Sequence, residues 1–559
     1  MSSSSATAGG SSSSSSSSAL CVRAQQVLSR LFVFHPPSGR REGEEERKVL
    51  FFSPADESTD AQVQTVGFCE AVANFTDSFA QSALGPLPPY YEASTKRTFQ
   101  LCFTAEPDFF IGASFSRAQC LEHNYFLYAP AVYRVLAVAY RMFRLFFGRF
   151  QAIVEQEQGS MEGLKERLAY FFGRYTSTLR LHLLPLLDVY GGVQYLSLDR
   201  STYLEVDTCL AARLEARASR LQGAMLLSPD QLAHYSVDAR DLAVLYRYLT
   251  QNLLPMSQRA ELQPERQHNR STSVSHHCAH FVTGPADINT AESVGQIPTV
   301  FLHKIAYSQN QPNSMASLVD GEFSAEFGGS SQQRLDDPYW DSTADGELSE
   351  YSLLVYRSLN ATLALFSDVN ESEAPLDLDF LRDFDAHVGP ALTALSSSIA
   401  EVYAKGAGKS AAAPTTATGG GGGTGISMDY HYVFYNPLSQ SLRTTLFHPK
   451  RIADADAKRF LLPYEVRRLA CQLRDDLWRD STSAGVVSHL SSDSQAAFSG
   501  EVLAKTDSDW WVAARRANQR ELFLVLAPPS KQSHPSGLTD VGEEVRKIVD
   551  RHFRTIFMN

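Results

Sequence analysis

The chain has 559 residues, room for about three or four domains of ~150 residues, and its 43% hydrophobic content supports several separate cores. A formal net charge of −12 counts against a protein whose whole surface serves nucleic acid, so no nucleic-acid partner is expected. Seven cysteines without paired spacing describe no disulfide framework, and the most apolar stretch, Ala131 to Phe150, is broken by four arginines, so no segment is expected to span a membrane.

The N-terminal run Ser2 to Ser18 lacks the basic start and apolar core of a signal peptide. It reads as a disordered tail over residues 1–27 of a cytosolic chain. The first unit, 28–155, opens with two strand-like runs, Leu31 to Phe34 and Val49 to Phe52, joined by a charged connector bearing Pro and Gly. After Ser53-Pro54, Asp60 offers an N-cap to a helix whose stripe is Phe68, Val72, Phe75 and Phe79; aromatic residues at that spacing are expected in a core. Alternation over Thr98 to Thr104 and Phe109 to Phe115 predicts two half-buried strands. A long helix then carries Val132, Val135, Ala139, Met142, Phe146 and Phe150 on its apolar stripe, with Arg134, Arg141, Arg144 and Arg149 off it.

A connector, 156–220, follows, with a helix over Gly163 to Arg180, a Gly-Gly break at Gly191 and Gly192, a short strand and a second helix. The second unit, 221–404, repeats the first plan. Its hairpin is Ala224 to Leu227 and Leu232 to Tyr235; Leu242, Leu245, Leu249 and Leu253 mark a helix; strands are expected at Thr299 to Ile305, Tyr351 to Leu359 and Ala361 to Ser367; and a long helix begins near Leu381. Residues 309–350 and the Gly-rich 405–429 have the low hydrophobicity of segments that cannot repay the entropy of ordering. The third unit, 430–559, repeats hairpin, helix, meander and helix through Tyr432 to Tyr435, Leu442 to Leu446, Val466 to Leu477, Glu501 to Leu526 and a last helix from Asp540. The predicted class is α+β, three antiparallel sheets each with helices packed on it.

Apparent chemical motifs are discounted. KGAGKS, Lys405 to Ser410, has Tyr403 where a phosphate-binding loop needs its first glycine and follows a helix rather than a strand. HHCAH, with His276, His277, Cys278 and His280, lacks a second ligand cluster, so no metal site is expected. No G-x-S-x-G elbow precedes a helix, and no cofactor or catalytic residue is expected.

The order of elements resembles the longin fold, and three such units in one chain resemble the tri-longin subunits of Rab exchange factors. GRREGEEERKVLFF (Gly39 to Phe52), VGFCEAV (Val66 to Val72), LKERLAYFFGRY (Leu164 to Tyr175), LLDVYGGVQYLSLDRSTYL (Leu186 to Leu204) and LYRYLTQNLLP (Leu245 to Pro255) are similar to the vacuolar fusion family named for calcium, caffeine and zinc sensitivity. That resemblance implies an obligate heterodimer with a second tri-longin protein of the monensin-sensitivity family. It also implies guanine-nucleotide exchange on a late-endosomal Rab GTPase without catalytic side-chain chemistry, and peripheral recruitment to phosphoinositide-containing late-endosomal and vacuolar membranes. The family-like residues place candidate GTPase or partner contacts at Arg41, Glu42, Glu44, Glu45, Glu46, Phe68, Cys69 and Glu70, against the alternative of a solvated hairpin tip. Arg515, Arg516 and Arg520, beside Trp510 and Trp511, are membrane-contact candidates, although a meander with its tryptophans on a sheet face is favoured.

Overall fold

The computed structural model describes residues 20–80, 88–215, 220–261, 278–284, 297–305, 347–370, 376–410, 430–446, 462–488, 499–517, 519–528 and 538–553. The Ser-rich run to residue 19 and most of the expected insertions 309–350 and 405–429 lie outside those residues. Leu20 to Val27 do not belong to a tail. Strand β1 (Cys21–Arg23) begins the described chain, and Val22, Ala24 and Val27 are buried in the first core.

The first unit consists of β2 (Leu28–Phe34), β3 (Val49–Ser53), α1 (Thr59–Ala80), β4 (Tyr91–Ser94), β5 (Thr98–Glu106), β6 (Phe109–Ser116), α2 (Arg117–Glu122) and α3 (Ala129–Phe147). Its sheet runs β3-β2-β6-β5-β4, all antiparallel. Alternation along each strand makes two cores. Leu31, Val33, Leu101, Phe103, Ile111 and Ala113 face α3, while Phe32, Phe34, Phe52 and Cys102 face α1 with Val66 and Cys69.

The long helix differs from expectation in two ways. It ends at Gly148 (φ 79°), and α4 (Phe150–Gln156) starts afresh, its first N–H groups at Phe150 and Gln151 donating to the buried Glu106 carboxylate at 2.6 and 2.9 Å. It is also buried on more than one stripe, because the second unit packs on its far side. Arg144, expected off the core, is enclosed there and lies 3.9 Å from Asp241.

The connector holds α5 (Glu162–Thr178), β7 (Arg180–His182), which pairs with β1, α6 (Pro185–Tyr190) and α7 (Arg200–Glu215). The second unit holds β8 (Gly223–Ser228), β9 (Gln231–Tyr235), α8 (Ala239–Arg247), a π-turn Tyr248–Leu253, α9 (Leu254–Glu261), β10 (Ala279–Phe281), β11 (Thr299–His303), β12 (Leu348–Ser358), β13 (Ala361–Asp368) and α10 (Leu378–Ser410). Its third strand is split: β10 pairs with the end of β12 and β11 with its beginning. The third unit holds β14 (Tyr430–Asn436), β15 (Ser441–Thr444), α11 (Tyr464–Ser488), β16 (Ser499–Lys505), β17 (Trp511–Ala517), β18 (Arg520–Leu526) and α12 (Leu538–His552). If the strands of each unit are numbered from one to five, all three sheets have the order 2-1-5-4-3.

The connector joins the units. At Gly191 and Gly192 the chain turns out of α6 and runs between β9, an edge of the second sheet, and β15, an edge of the third. Val193 N–H donates to Gln440 O (2.8 Å) and Leu442 N–H to Val193 O (2.9 Å). On the other side Leu232 N–H donates to Gln194 O (2.8 Å) and Leu196 N–H to Leu232 O (2.9 Å). Both edges are thereby covered, and two sheets become one hydrogen-bonded surface.

Candidate protein-interaction surface

The charged hairpin loop and α1 form one surface. His35 N–H donates to Lys48 O (2.9 Å) at the base of the loop, and two 3-10 turns, Pro36–Gly39 and Glu45–Lys48, fold the loop back onto the helix. Lys48 Nζ donates to Glu70 Oε2 at 2.8 Å, with both side chains largely shielded from water, so Glu70 ties the loop to α1. Glu44 pairs with Arg47 (3.0 Å), and Gly43 N–H donates to Glu45 Oε1 (3.2 Å). Backbone N–H groups of Glu45 itself and of Gly43 hold the Glu45 carboxyl below its ordinary range. Arg41, Glu42 and Glu46 are exposed; Glu44 and Glu45 are half-buried.

The helix is fixed at both ends. Arg30 pairs with Glu57 and donates to Thr65 Oγ1 (3.2 Å), and Tyr91 donates its hydroxyl to Asp77 (3.0 Å). Its inner side is Thr65, Val66, Cys69 and Ala73, small residues at helical spacing that allow close approach to the sheet. Cys69 is therefore not a surface contact, and Cys102 beneath it has its thiol pushed up by a hydrogen bond to Cys69 and by burial. Phe68 and Phe75, expected in the core, are instead 46% and 66% exposed. Small residues occupy the inner stripe instead.

Two exposed aromatic side chains on a helix that a charged loop folds against are the residue types enriched at protein interfaces. The corresponding helices of the other units are differently placed. α8 packs on α3 and α11 on α6, within this chain, whereas α1 turns Phe68 and Phe75 to solvent.

The three arginines of the third unit do not form one basic patch. Arg516 is 8% exposed, and its guanidinium lies 3.7 Å from the centre of the Trp478 ring, so it is unavailable to a membrane. Arg515, 4.0 Å from Glu501, and Arg520 are half-buried. Trp511 sits in the core under α12 and Trp510 packs against the opposite core, as a meander requires.

His276 and His277 lie outside the described residues. Cys278 is exposed, and His280 belongs to β10, opposite Arg357, not to a linker. Among the described residues no group of three His, Cys, Asp or Glu side chains is arranged to hold a metal, and no helix is long and apolar enough to cross a membrane. Lys405 to Ser410 continue α10.

Comparison with known proteins agrees with this architecture. Residues 28–148 match the family model described as the first longin domain of INTU, CCZ1 and HPS4, residues 221–389 match Intu longin-like domain 2, and residues 427–548 match Intu longin-like domain 3. The "Vacuolar fusion protein CCZ1 homolog" of Nematostella vectensis is 28% identical over 95% of this chain and 97% of its own length. That of Xenopus laevis is 27% identical over 95% and 97%. The "CCZ1 homolog A" of Arabidopsis thaliana is 26% identical over 40% and 46%. With three longin domains of one strand order and relatives aligned almost from end to end, the chain belongs to the tri-longin family of CCZ1-type vacuolar fusion proteins.

Proposed function

We propose that this chain is one subunit of a heterodimeric guanine-nucleotide exchange factor that activates a late-endosomal Rab GTPase during endosome maturation and vacuole or lysosome fusion. The names of its relatives, vacuolar fusion proteins, support the trafficking role. The single observation that carries the reading is the open side of α1, with Phe68 and Phe75 exposed on the helix against which the loop bearing the exposed Arg41, Glu42 and Glu46 folds. A second tri-longin protein and the GTPase are the partners assigned to that surface, and phosphoinositide-bearing membrane is the surface to which the pair is recruited.

Exchange of this kind uses no acid, base or nucleophile. The pair must bind the nucleotide-free, switch-opened GTPase more tightly than the nucleotide-bound form, since a ligand shifts an equilibrium only by its differential affinity. Inverting a 1:99 population takes about 10⁴-fold preference. Charged side chains on a rigid loop and aromatic anchors on a helix supply such a difference without chemistry.

The test is release of labelled GDP from a panel of Rabs, with the chain alone and co-purified with its tri-longin partner. Acceleration of the late-endosomal Rab by the pair alone is expected, with at least tenfold loss on Phe68→Asp or on charge reversal at Glu42 and Glu45. A stable pair that accelerates no Rab would make the chain a trafficking adaptor on a longin scaffold.

A further inference from the structure

A constellation of reactive side chains that the exchange reading does not use lies where the first strand meets the connector. β1 and β7 form a two-stranded antiparallel ladder, with Cys21 opposite His182, Val22 opposite Leu181 and Arg23 opposite Arg180. Opposed residues share a face of a ladder, and successive pairs alternate between its faces. Val22 and Leu181 are buried in the first core. The other face therefore carries Cys21, His182, Arg23 and Arg180 together. Cys21 is partly exposed, and both arginines are exposed.

The imidazole on that face is held from behind. Asp188 of α6 is 2% exposed; its Oδ2 accepts from the His182 backbone N–H (2.8 Å), and its Oδ1 lies 2.7 Å from the ring Nδ1. The same ring makes a side-chain hydrogen bond with Cys21. Burial opposes a charge on the ring, but Asp188 and Cys21 raise its pKa to about 10, so at neutral pH it keeps its second proton. A sulfur nucleophile, an imidazole beside it and a third group that orients the imidazole are the parts that activate a cysteine. An imidazolium stabilises negative charge on the attacking sulfur and has a proton to give to a departing one. The two guanidiniums stay charged throughout the physiological range, so they favour a reagent that carries negative charge.

We propose that Cys21 is a modification site for acidic low-molecular-weight disulfides of the glutathione class, with Cys21 as the nucleophile, His182 as the proton carrier and Asp188 as a positioning residue. The Cys21 sulfur attacks one sulfur of the reagent. A new S–S bond forms as the old one breaks, and the other half leaves as a thiolate that takes the proton His182 holds. The proton given up by the Cys21 thiol restores the imidazolium. One thiol and one disulfide thus become one mixed disulfide and one thiol, and no further oxidant is consumed. Arg23 and Arg180 pair with the carboxylates of the glutathione half that stays.

The experiment follows the modification of each cysteine in the purified full chain at pH 7 by peptide mass mapping, with glutathione disulfide and, in parallel, the cationic disulfide cystamine. Cys209, also partly exposed, and Cys278, which is exposed, are the internal references. Cys21 is expected to react with glutathione disulfide at least tenfold faster than either. His182→Gln removes most of that advantage, and Asp188→Glu, which keeps the carboxylate, preserves part of it. Arg23→Gln with Arg180→Gln lowers the preference for glutathione disulfide over cystamine and leaves the reaction with cystamine intact, as a merely structural effect would not. If His182→Gln does not fold, the ranking of the three cysteines in the unaltered chain and the arginine variant still decide. Cys21 reacting no faster than Cys209, or equally fast in a folded His182→Gln chain, overturns the site. Equal rates with the two disulfides in the unaltered chain overturn the acidic reagent.

Discussion

His182 and Asp188 show how single residues hold the connector in place. The Asp188 carboxylate is buried; His182 N–H donates to Oδ2 (2.8 Å), and the ring Nδ1 lies 2.7 Å from Oδ1. Burial by itself would lower the pKa of the imidazole, but the Asp188 charge, with Cys21 and the hydrogen bonds to both, raises it to about 10. The folded state therefore prefers the protonated ring. From an ordinary value near 6.5, the stabilisation is full below about pH 6.5 and is lost as pH rises through about 10. Thermal melts between pH 6.5 and 10.5 should show this loss in the native chain and a flatter profile in Asp188→Asn, in which burial, no longer opposed by the carboxylate, keeps the imidazole neutral over that range. Parallel profiles for the two proteins would refute the assignment. The same stretch places Tyr190 on Tyr435, ring centroids 4.6 Å apart, and directs its hydroxyl to Glu521, which also accepts from Trp478 Nε1 at 2.9 Å. LLDVYGGVQYL thus reads as a structural clamp more than as a contact for another protein.

Among the elements, α1 separates packing from recognition on one helix. Its inner residues are small, so Val66→Ala removes buried methyl groups above Phe32 and Phe52 and should cost about 1–2.5 kcal/mol. Phe68→Ala removes a side chain that is nearly half exposed and should change stability by about 0.5 kcal/mol or less while weakening partner capture. Urea unfolding of both variants checks the contrast; a large loss in Phe68→Ala would place that ring in the core after all. The sequence allowed α1 to be located because spacing of 3.6 residues is a local property. It did not show which of two adjacent apolar stripes would face the sheet, since that depends on how closely the helix must approach Phe32, Phe34 and Phe52. The hairpins and meanders were readable from alternation, whereas β1, β4 and β10, of three or four residues, are too short to carry a period. Arg516 kept a membrane contact open beside the favoured meander for a related reason: a cation buried on Trp478 looks the same in sequence as one that faces a lipid.

At the scale of the whole molecule, three similar units become one body because the connector lies between two sheets that would otherwise end in open edges. Its geometry leaves no room for a side chain at one position. A Cβ on Gly192 would stand 2.7 Å from Gln440 O and 2.8 Å from Leu442 Cβ, and neither the backbone carbonyl nor the strand that carries Leu442 can retreat without breaking the bridge at Val193. Gly191 is different. Its φ of 49° is left-handed, but the nearest atom to a Cβ there is 3.7 Å away, so Gly191→Ala carries only the backbone penalty of roughly 1–2 kcal/mol. Gly192→Ala should instead separate the second and third sheets locally. Hydrogen exchange is the direct readout: the amides of Val193, Leu442, Leu232 and Leu196, which make the four bridging bonds, should lose protection together in Gly192→Ala, while those of β5 and β6 in the first unit keep theirs. Equal loss at all these amides would mean that the variant unfolds globally, and unchanged protection would mean that the connector tolerates a shift. The selective outcome would establish the connector as the strap that makes one surface from two sheets, which no single longin domain contains.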